Sequence, residues 1–296
     1  MKKAFVYLRI VRPANVVTSV ADVLAGIAIS GALAFRFLAI SYWHEIVLLC
    51  LSTACLYAGG IVYNDVFDAE LDAVERPERA IPSGAISLTA AKQFGFILLV
   101  IGITLAGICG EESGFIAIGI TLFALLYDKW GKHNNLLGPL NMGICRGLNL
   151  LLGISIVSIS LHQWYLLGIV PIIYIYSITM ISRGEVHGSN RQNLYIGGLL
   201  YIIVISAILY FANLTGQLLL SLIFIVPFAV MIFRPLIKAI QQPIGKNIGA
   251  AVKAGVISLI LMDAAWAVTF GTWVPALVIA CLLPISMWLA KIFAVT

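Results

Sequence analysis

Charge is what this sequence has least of. Its 296 residues include 18 Lys and Arg and 13 Asp and Glu, 10% in all, against 61% hydrophobic residues and a mean hydropathy of +1.05. A soluble domain carries roughly a quarter charged residues, so one aqueous domain around a single core is excluded. Cysteine is sparse too. Cys50, Cys55, Cys109, Cys145 and Cys281 are scattered, odd in number and never in a C-x-x-C, which argues against a disulfide framework and against a zinc site. No basic run with interleaved aromatics stands apart from the apolar segments, so the net charge of +5 does not point to nucleic acid. Neither a G-x-S-x-G elbow, a Walker loop nor an H-E-x-x-H occurs.

What the chain has is apolar length. Segments at roughly 15–40, 44–63, 89–109, 113–128, 136–160, 163–182, 193–213, 217–233, 247–270 and 273–293 are each candidates to cross the hydrocarbon layer as a helix. In lipid every backbone polar group must be satisfied within the protein, and continuous apolar runs exclude a barrel of alternating strands. The sequence predicts an all-α polytopic membrane protein. At the start, Arg9, Arg12 and Pro13 interrupt any early apolar region, so the first helix is read as uncleaved. Basic residues occupy alternate connections only, from Lys2, Lys3, Arg9 and Arg12 through Arg76, Arg79, Lys92, Lys129 and Lys132 to Lys291. The opposite connections ("SYWHE", "CGEES", "SISLHQ", "ANLTG", "GTW") carry no Lys or Arg. This asymmetry predicts cytoplasmic termini and cytoplasmic longer loops in an inner or plasma membrane. With no linker, low-complexity tract or repeat, residues 1–296 are expected to be one transmembrane domain.

The charge that exists is concentrated. "YNDVFDAELDAVERPERAIPSG" (63–84) holds Asn64, Asp65, Asp68 and Asp72 in the pattern N-D-x-x-D-x-x-x-D where an apolar span ends. Spacings of three and four place Asp65, Asp68 and Asp72 on one face if the helix continues, with Asn64 joining them. Carboxylates this close repel unless a cation neutralises them, and hard oxygens suit magnesium, which takes one or two carboxylates with phosphate oxygens and water. A solvated helix end whose acids pair with Arg76 and Arg79 is the plainer reading of the same residues. Those two arginines follow directly, and guanidinium forks match phosphate geometry. Metal-binding acids beside phosphate-binding arginines are what a diphosphate requires.

On these residues the sequence resembles the UbiA superfamily of intramembrane prenyltransferases. "NDVFDAELD" matches the family's first signature in full and "ERPERAIPSG" matches the following stretch closely, with Ala80 and Ala85 departing from it. "RPANVV" (12–17) resembles the start of the family's first helix, where Asn15 would face the cavity, and "LLYDKWGKHNNLLGPLNMGICRG" (125–147) resembles the connection between its fourth and fifth helices. The resemblance implies a bundle of nine to ten transmembrane helices around a central cavity. It also implies a bound Mg²⁺ and an isoprenyl diphosphate donor, with a lipophilic or aromatic acceptor met inside the bilayer. Asp65, Asp68, Asp72, Arg79 and Lys132 would be catalytic, and Asn64, Asp65, Asp68, Asp72 and Glu185 would hold metal. Asn15, Arg76, Arg146, Arg183, His187 and Arg191 would bind substrate.

The second half departs from the pattern. Where the family has another aspartate pair stands "ISRGEVHGSNRQN" (181–193), which contains no aspartate; Glu185 is its only acid, and Ser189 stands four residues on. Three readings stay open: Glu185 holds a cation with help from His187 or Asn190; Arg183 and Arg191 grip the diphosphate in its place; or the stretch is an ordinary loop. It resembles the EboC-like branch of the superfamily. Two functions follow as expectations: Mg²⁺-dependent prenyl transfer, or a non-catalytic lipid or metabolite carrier or assembly partner that keeps the cavity. Asp22 and Asp263 lie inside predicted spans, where an ionised group costs at least about 2.5 kcal/mol. Asp22 is read as lining the cavity near Asn15 or packing helices, Asp263 as structural, and Arg146 as facing the diphosphate or pairing with an acid.

Overall fold

Local chemistry marks where the first helices start. Arg12 adopts φ 48°, ψ 70°, and among the described residues it is alone in positive φ outside glycine. Pro13 follows as the first residue of the next helix, where its missing N–H costs nothing. The computed structural model describes residues 3–33, 41–131, 134, 137–183, 191–271 and 273–293. Helix α1 spans Lys3–Ile10 and α2 spans Pro13–Ile29. They are followed by α3 (Trp43–Phe67), the short α4 (Ala69–Glu75), α5 (Leu88–Cys109) and α6 (Glu111–Lys129). Next come α7 (Leu137–Ile154), α8 (Ser158–Trp164) and α9 (Ile169–Ser182), the last two joined by a 3₁₀ turn. Finally α10 (Arg191–Leu214), α11 (Leu218–Gln241), α12 (Gly245–Phe270), α13 (Trp273–Ala280) and α14 (Leu282–Ile292) complete the chain.

Each of the ten apolar segments read from the sequence overlaps helix, although the first is helical only to Ile29 and its residues 34–40 lie outside the described ones; the described residues contain no strand. Among the described residues seven helical stretches are long and apolar enough to cross a membrane. The other three fall short for visible reasons. Helix α2 is shorter, with 17 residues. Helix α6 carries charge at both ends (Glu111, Glu112, Asp128, Lys129), and α7 contains Arg146 with two asparagines. The polar α2 and α7 lie inside the bundle, while apolar faces of the longer helices are exposed, as on Phe96, Ile97, Leu199 and Ile223. The chain is a multi-pass membrane protein.

Packing is tightest where α2 crosses α7. A Cβ added to Gly26 would lie 2.2 Å from the Leu150 carbonyl oxygen, and one on Gly153 would lie 2.1 Å from that of Val23. Small residues let helix backbones touch where lipid offers no hydrophobic drive. Above this crossing Val6 and Ile10 of α1 pack on Val62 and Val66 of α3 together with Ile86 and Ala91. That small apolar cluster fixes α1 and the 76–87 connection over the end of α3.

Candidate active site

Helix α3 ends at Phe67, and Asp68 (φ −88°, ψ 0°) joins it to α4. The backbone ladder nevertheless runs through the junction: Asp68 N–H donates to the Asn64 carbonyl at 3.0 Å, Asp72 N–H to that of Asp68 at 2.7 Å and Arg76 N–H to that of Asp72 at 2.8 Å. Asp65 and Asp72 are seven residues apart and so project alike, roughly two turns apart, whereas Asn64 points about 100° away from Asp65. By the same spacing Asp68 falls between Asn64 and Asp72, so the four motif residues fan over about 100° of one face, and it is their partners that differ.

One group is bound by arginine. Arg12 Nη2 donates to Asp65 Oδ1 at 2.9 Å, while Arg79 Nη1 donates to Asp72 Oδ2 at 2.8 Å and reaches Asp65 Oδ1 at 3.4 Å. Arg12 gets there through its left-handed backbone, which turns α1 away from α2. Arg79 gets there because "IPSG" folds back: Ser83 N–H bonds the Arg79 carbonyl at 3.0 Å, Gly84 takes φ 73°, and Ile86 N–H bonds the Ala80 carbonyl at 3.1 Å. Ser87 then caps α5, accepting from Ala90 N–H at 3.2 Å. Beside this lattice opens a cleft of about 260 Å³ where Arg9, Arg12, Arg76 and Arg79 face Asp65 and Glu78. Asp65 and Asp72 neutralise Arg12 and Arg79, but Arg9 and Arg76 make no ion pair among the described residues. The cleft keeps uncompensated positive charge.

The other group meets α6. Asn64 Nδ2 donates to Asp128 Oδ1 at 3.0 Å, and Asp128 is buried. Asp68 and Asp128 both lie close to Tyr127. Asp128 was missed in the sequence, although it is the acid of "LLYDKWGK" at the end of an apolar segment, the same signal that picked out Asp65. Among the described residues no three His, Cys, Asp or Glu side chains form a ready metal cage. Asn64, Asp68 and Asp128 still offer an amide oxygen and two carboxylates, which fits magnesium, a cation that draws its remaining ligands from phosphate and water.

Deeper in the bundle a second polar network joins α2, α3 and α7. Arg146 pairs with Asp22 and donates through Nη2 to Thr18 Oγ1 at 2.6 Å and to Tyr57 Oη at 3.4 Å. Asn149 Nδ2 bonds Asp22 Oδ2 at 2.9 Å and the Ser19 carbonyl at 2.8 Å, and its Oδ1 accepts from Thr53 at 2.6 Å. Of the two readings of Arg146, pairing with an acid is the one the geometry takes. Asn15 is buried in the first turn of α2, Asp263 is buried in α12, and Arg183 and Arg191 are exposed at the facing ends of α9 and α10. Lys132, Glu185 and His187 lie outside the described residues.

The sequence model of the UbiA prenyltransferase family matches residues 23–243. A digeranylgeranylglyceryl phosphate synthase of Metallosphaera sedula is 29% identical over 188 residues, covering 62% of this chain and 61% of that protein. The chain thus spans about three fifths of the length of the curated relatives it matches. Among solved structures, one of a digeranylgeranylglyceryl phosphate synthase aligns with a TM-score of 0.66 at 23% identity, over 92% of this chain and 99% of that one. A UbiA homologue from Archaeoglobus fulgidus bound to GPP and Mg²⁺ aligns with a TM-score of 0.62 at 15% identity, over 86% and 99%. At these identities the two structures show a shared fold.

Proposed function

The chain belongs to the UbiA prenyltransferase family, and on that premise we propose that it transfers a prenyl group from an isoprenyl diphosphate to a lipophilic or aromatic acceptor within the membrane. One observation carries the reading. At the end of an apolar span, oxygen donors suited to a divalent cation (Asn64, Asp68, Asp128) stand beside an arginine-lined cleft whose charge is not cancelled. The names of the matched relatives, and the diphosphate and Mg²⁺ in the Archaeoglobus fulgidus structure, point the same way.

Asn64, Asp68 and Asp128 would hold Mg²⁺, which supplies positive charge against the diphosphate oxygens. Asp65 and Asp72 act one step back by fixing the guanidiniums of Arg12 and Arg79, so those cations need no rearrangement when charge builds on the leaving group. Arg76, with Arg9, meets the outer diphosphate oxygens. As the C–O bond of the donor breaks, its electron pair leaves with the diphosphate. The acceptor nucleophile then bonds to the allylic carbon and loses its proton. The apolar helix walls exclude water that would otherwise capture the cation. Lys132, Arg183, His187 and Arg191 are proposed to bind the same diphosphate, and Glu185 to be a further metal ligand. The one-sided distribution of Lys and Arg supports cytoplasmic termini and a site open to the cytoplasm.

The test is single-turnover transfer from labelled geranylgeranyl diphosphate with Mg²⁺, over a panel of lipid alcohols and phenols. Labelled prenyl product from wild type, lost in Asp68→Ala, is the expected result. Metal-dependent donor binding with no transfer to any acceptor would replace the enzyme by a carrier.

A further inference from the structure

Tyr57 is where the interior network reaches open space. Thr53, Tyr57, Gly60 and Asn64 form one stripe along α3 at helical spacing. Thr53 bonds Asn149 and Tyr57 meets Arg146, both on α7. A Cβ on Gly60 would meet Ala124 at 3.5 Å, and Asn64 bonds Asp128, both on α6. The stripe therefore faces the bundle interior, away from lipid. Asp22, Arg146, Asn149, Thr18 and Thr53 are all buried, yet Tyr57 is only partly so. Its exposed surface lies on the stripe that faces α6 and α7.

The tyrosine is also held in one state. Arg146 lies over its ring, 5.0 Å from the centroid, and donates to its oxygen at 3.4 Å. Asp22, Thr18 and Asn149 in turn fix Arg146 and its partner. With Oη accepting from Arg146, the phenolic proton is turned outward, and it finds no acceptor among the described residues. With Oη already accepting from Arg146, the remaining capacity of this half-buried hydroxyl is to donate, which suits it to a ligand oxygen.

Tyr57 precedes Asn64 by seven residues, which places it two turns, or about 10 Å, further into the membrane on the same face. On the prenyl-transfer reading, a prenyl chain anchored by its diphosphate at Asn64 and Asp68 would run inward past Tyr57. We propose that Tyr57 is the acceptor-recognising residue: its hydroxyl donates to the oxygen of a hydroxyl-bearing lipophile and holds that oxygen beside the first carbons of the prenyl chain. Arg146 and Asp22 are positioning residues that keep the hydroxyl proton outward. The assignment rests on the prenyl-transfer reading for the neighbouring chain, but the site itself can be probed without donor.

The experiment measures binding of two probes to the full chain in lipid nanodiscs, with and without geranylgeranyl diphosphate and Mg²⁺. One probe is oleyl alcohol and the other is the matching hydrocarbon, 1-octadecene. Wild type binds the alcohol more tightly than the alkene. Tyr57→Phe, which keeps the ring under Arg146, weakens the alcohol by roughly tenfold, the scale of one lost buried hydrogen bond. Alkene and donor binding stay unchanged. Arg146→Lys, which retains charge and loses the fork, weakens the alcohol and not the alkene. The proposal is overturned if wild type does not distinguish the probes, if Tyr57→Phe binds the alcohol as wild type does, or if both probes weaken together. Failure of wild type to bind donor contradicts the transferase reading instead and leaves the donor-free probe comparison readable.

Discussion

Arg79 Nη1 lies 2.8 Å from Asp72 Oδ2, and the same nitrogen reaches Asp65. One guanidinium thus bridges two carboxylates of the acidic motif. Within the motif Asp65 and Asp72 contact arginines, while Asn64 contacts Asp128 of α6.

Arg79→Lys should expose that division. A lysine keeps the charge but not the planar fork, so it cannot bridge both acids as Arg79 does. Loss of a charge-assisted bond of about 1.5–3 kcal/mol predicts a fall in isoprenyl diphosphate affinity of roughly tenfold or more, read by calorimetry. The Mg²⁺ concentration needed for half-maximal binding should stay near the wild-type value, because Asn64, Asp68 and Asp128 are untouched.

Arg12 combines an ion pair with a strained backbone, and two substitutions separate them. Arg12→Ala loses the pair and keeps φ 48°, whereas Arg12→Gly loses the pair and relieves the strain. Left-handed backbone costs an L-residue about 1–2 kcal/mol, so the glycine variant should melt higher than the alanine variant. Donor affinity should fall equally in both. Unequal affinity would mean that the backbone turn, not the cation, carries the effect.

The α2–α7 crossing should tolerate no added atom. Gly153→Ala puts a Cβ 2.1 Å from the Val23 carbonyl oxygen and must push α2 off α7, opening the Asp22–Arg146 pair. Overpacking of this kind costs about 1–3 kcal/mol and should lower the melting temperature in detergent. Gly107→Ala, with nothing within 4 Å of the new Cβ, should melt like wild type.

Asn64 and Asp128 should behave as a unit. Each single alanine substitution is expected to lose Mg²⁺-dependent donor binding, and the double variant to add little further, since residues sharing one site are not additive. Additive losses, measured by the same titration, would separate Asp128 from the metal position.

Much of this was legible in the sequence. Long apolar windows between polar connections gave the helices, because a spanning segment must be apolar over its whole length. The acids, the arginines and "IPSG" were also visible as local spacing. The division of the motif was not. It depends on the junction at Asp68 and on a turn that carries Arg79 back onto α4. Asp128 and Asn64 are 64 positions apart, and Arg146 and Asp22 are 124 apart. Spacing reports neighbours on one helix, while those partners are set by how α2, α3, α6 and α7 pack.

The most direct measurement is a titration of geranylgeranyl diphosphate into the purified full chain, with Mg²⁺ and with chelator, for wild type, Asp68→Ala and Asp128→Ala. Wild type should bind only with Mg²⁺, and both variants should lose that metal-dependent binding while melting within a few degrees of wild type. Equal wild-type binding with and without Mg²⁺, or full metal-dependent binding by Asp128→Ala, would contradict the account.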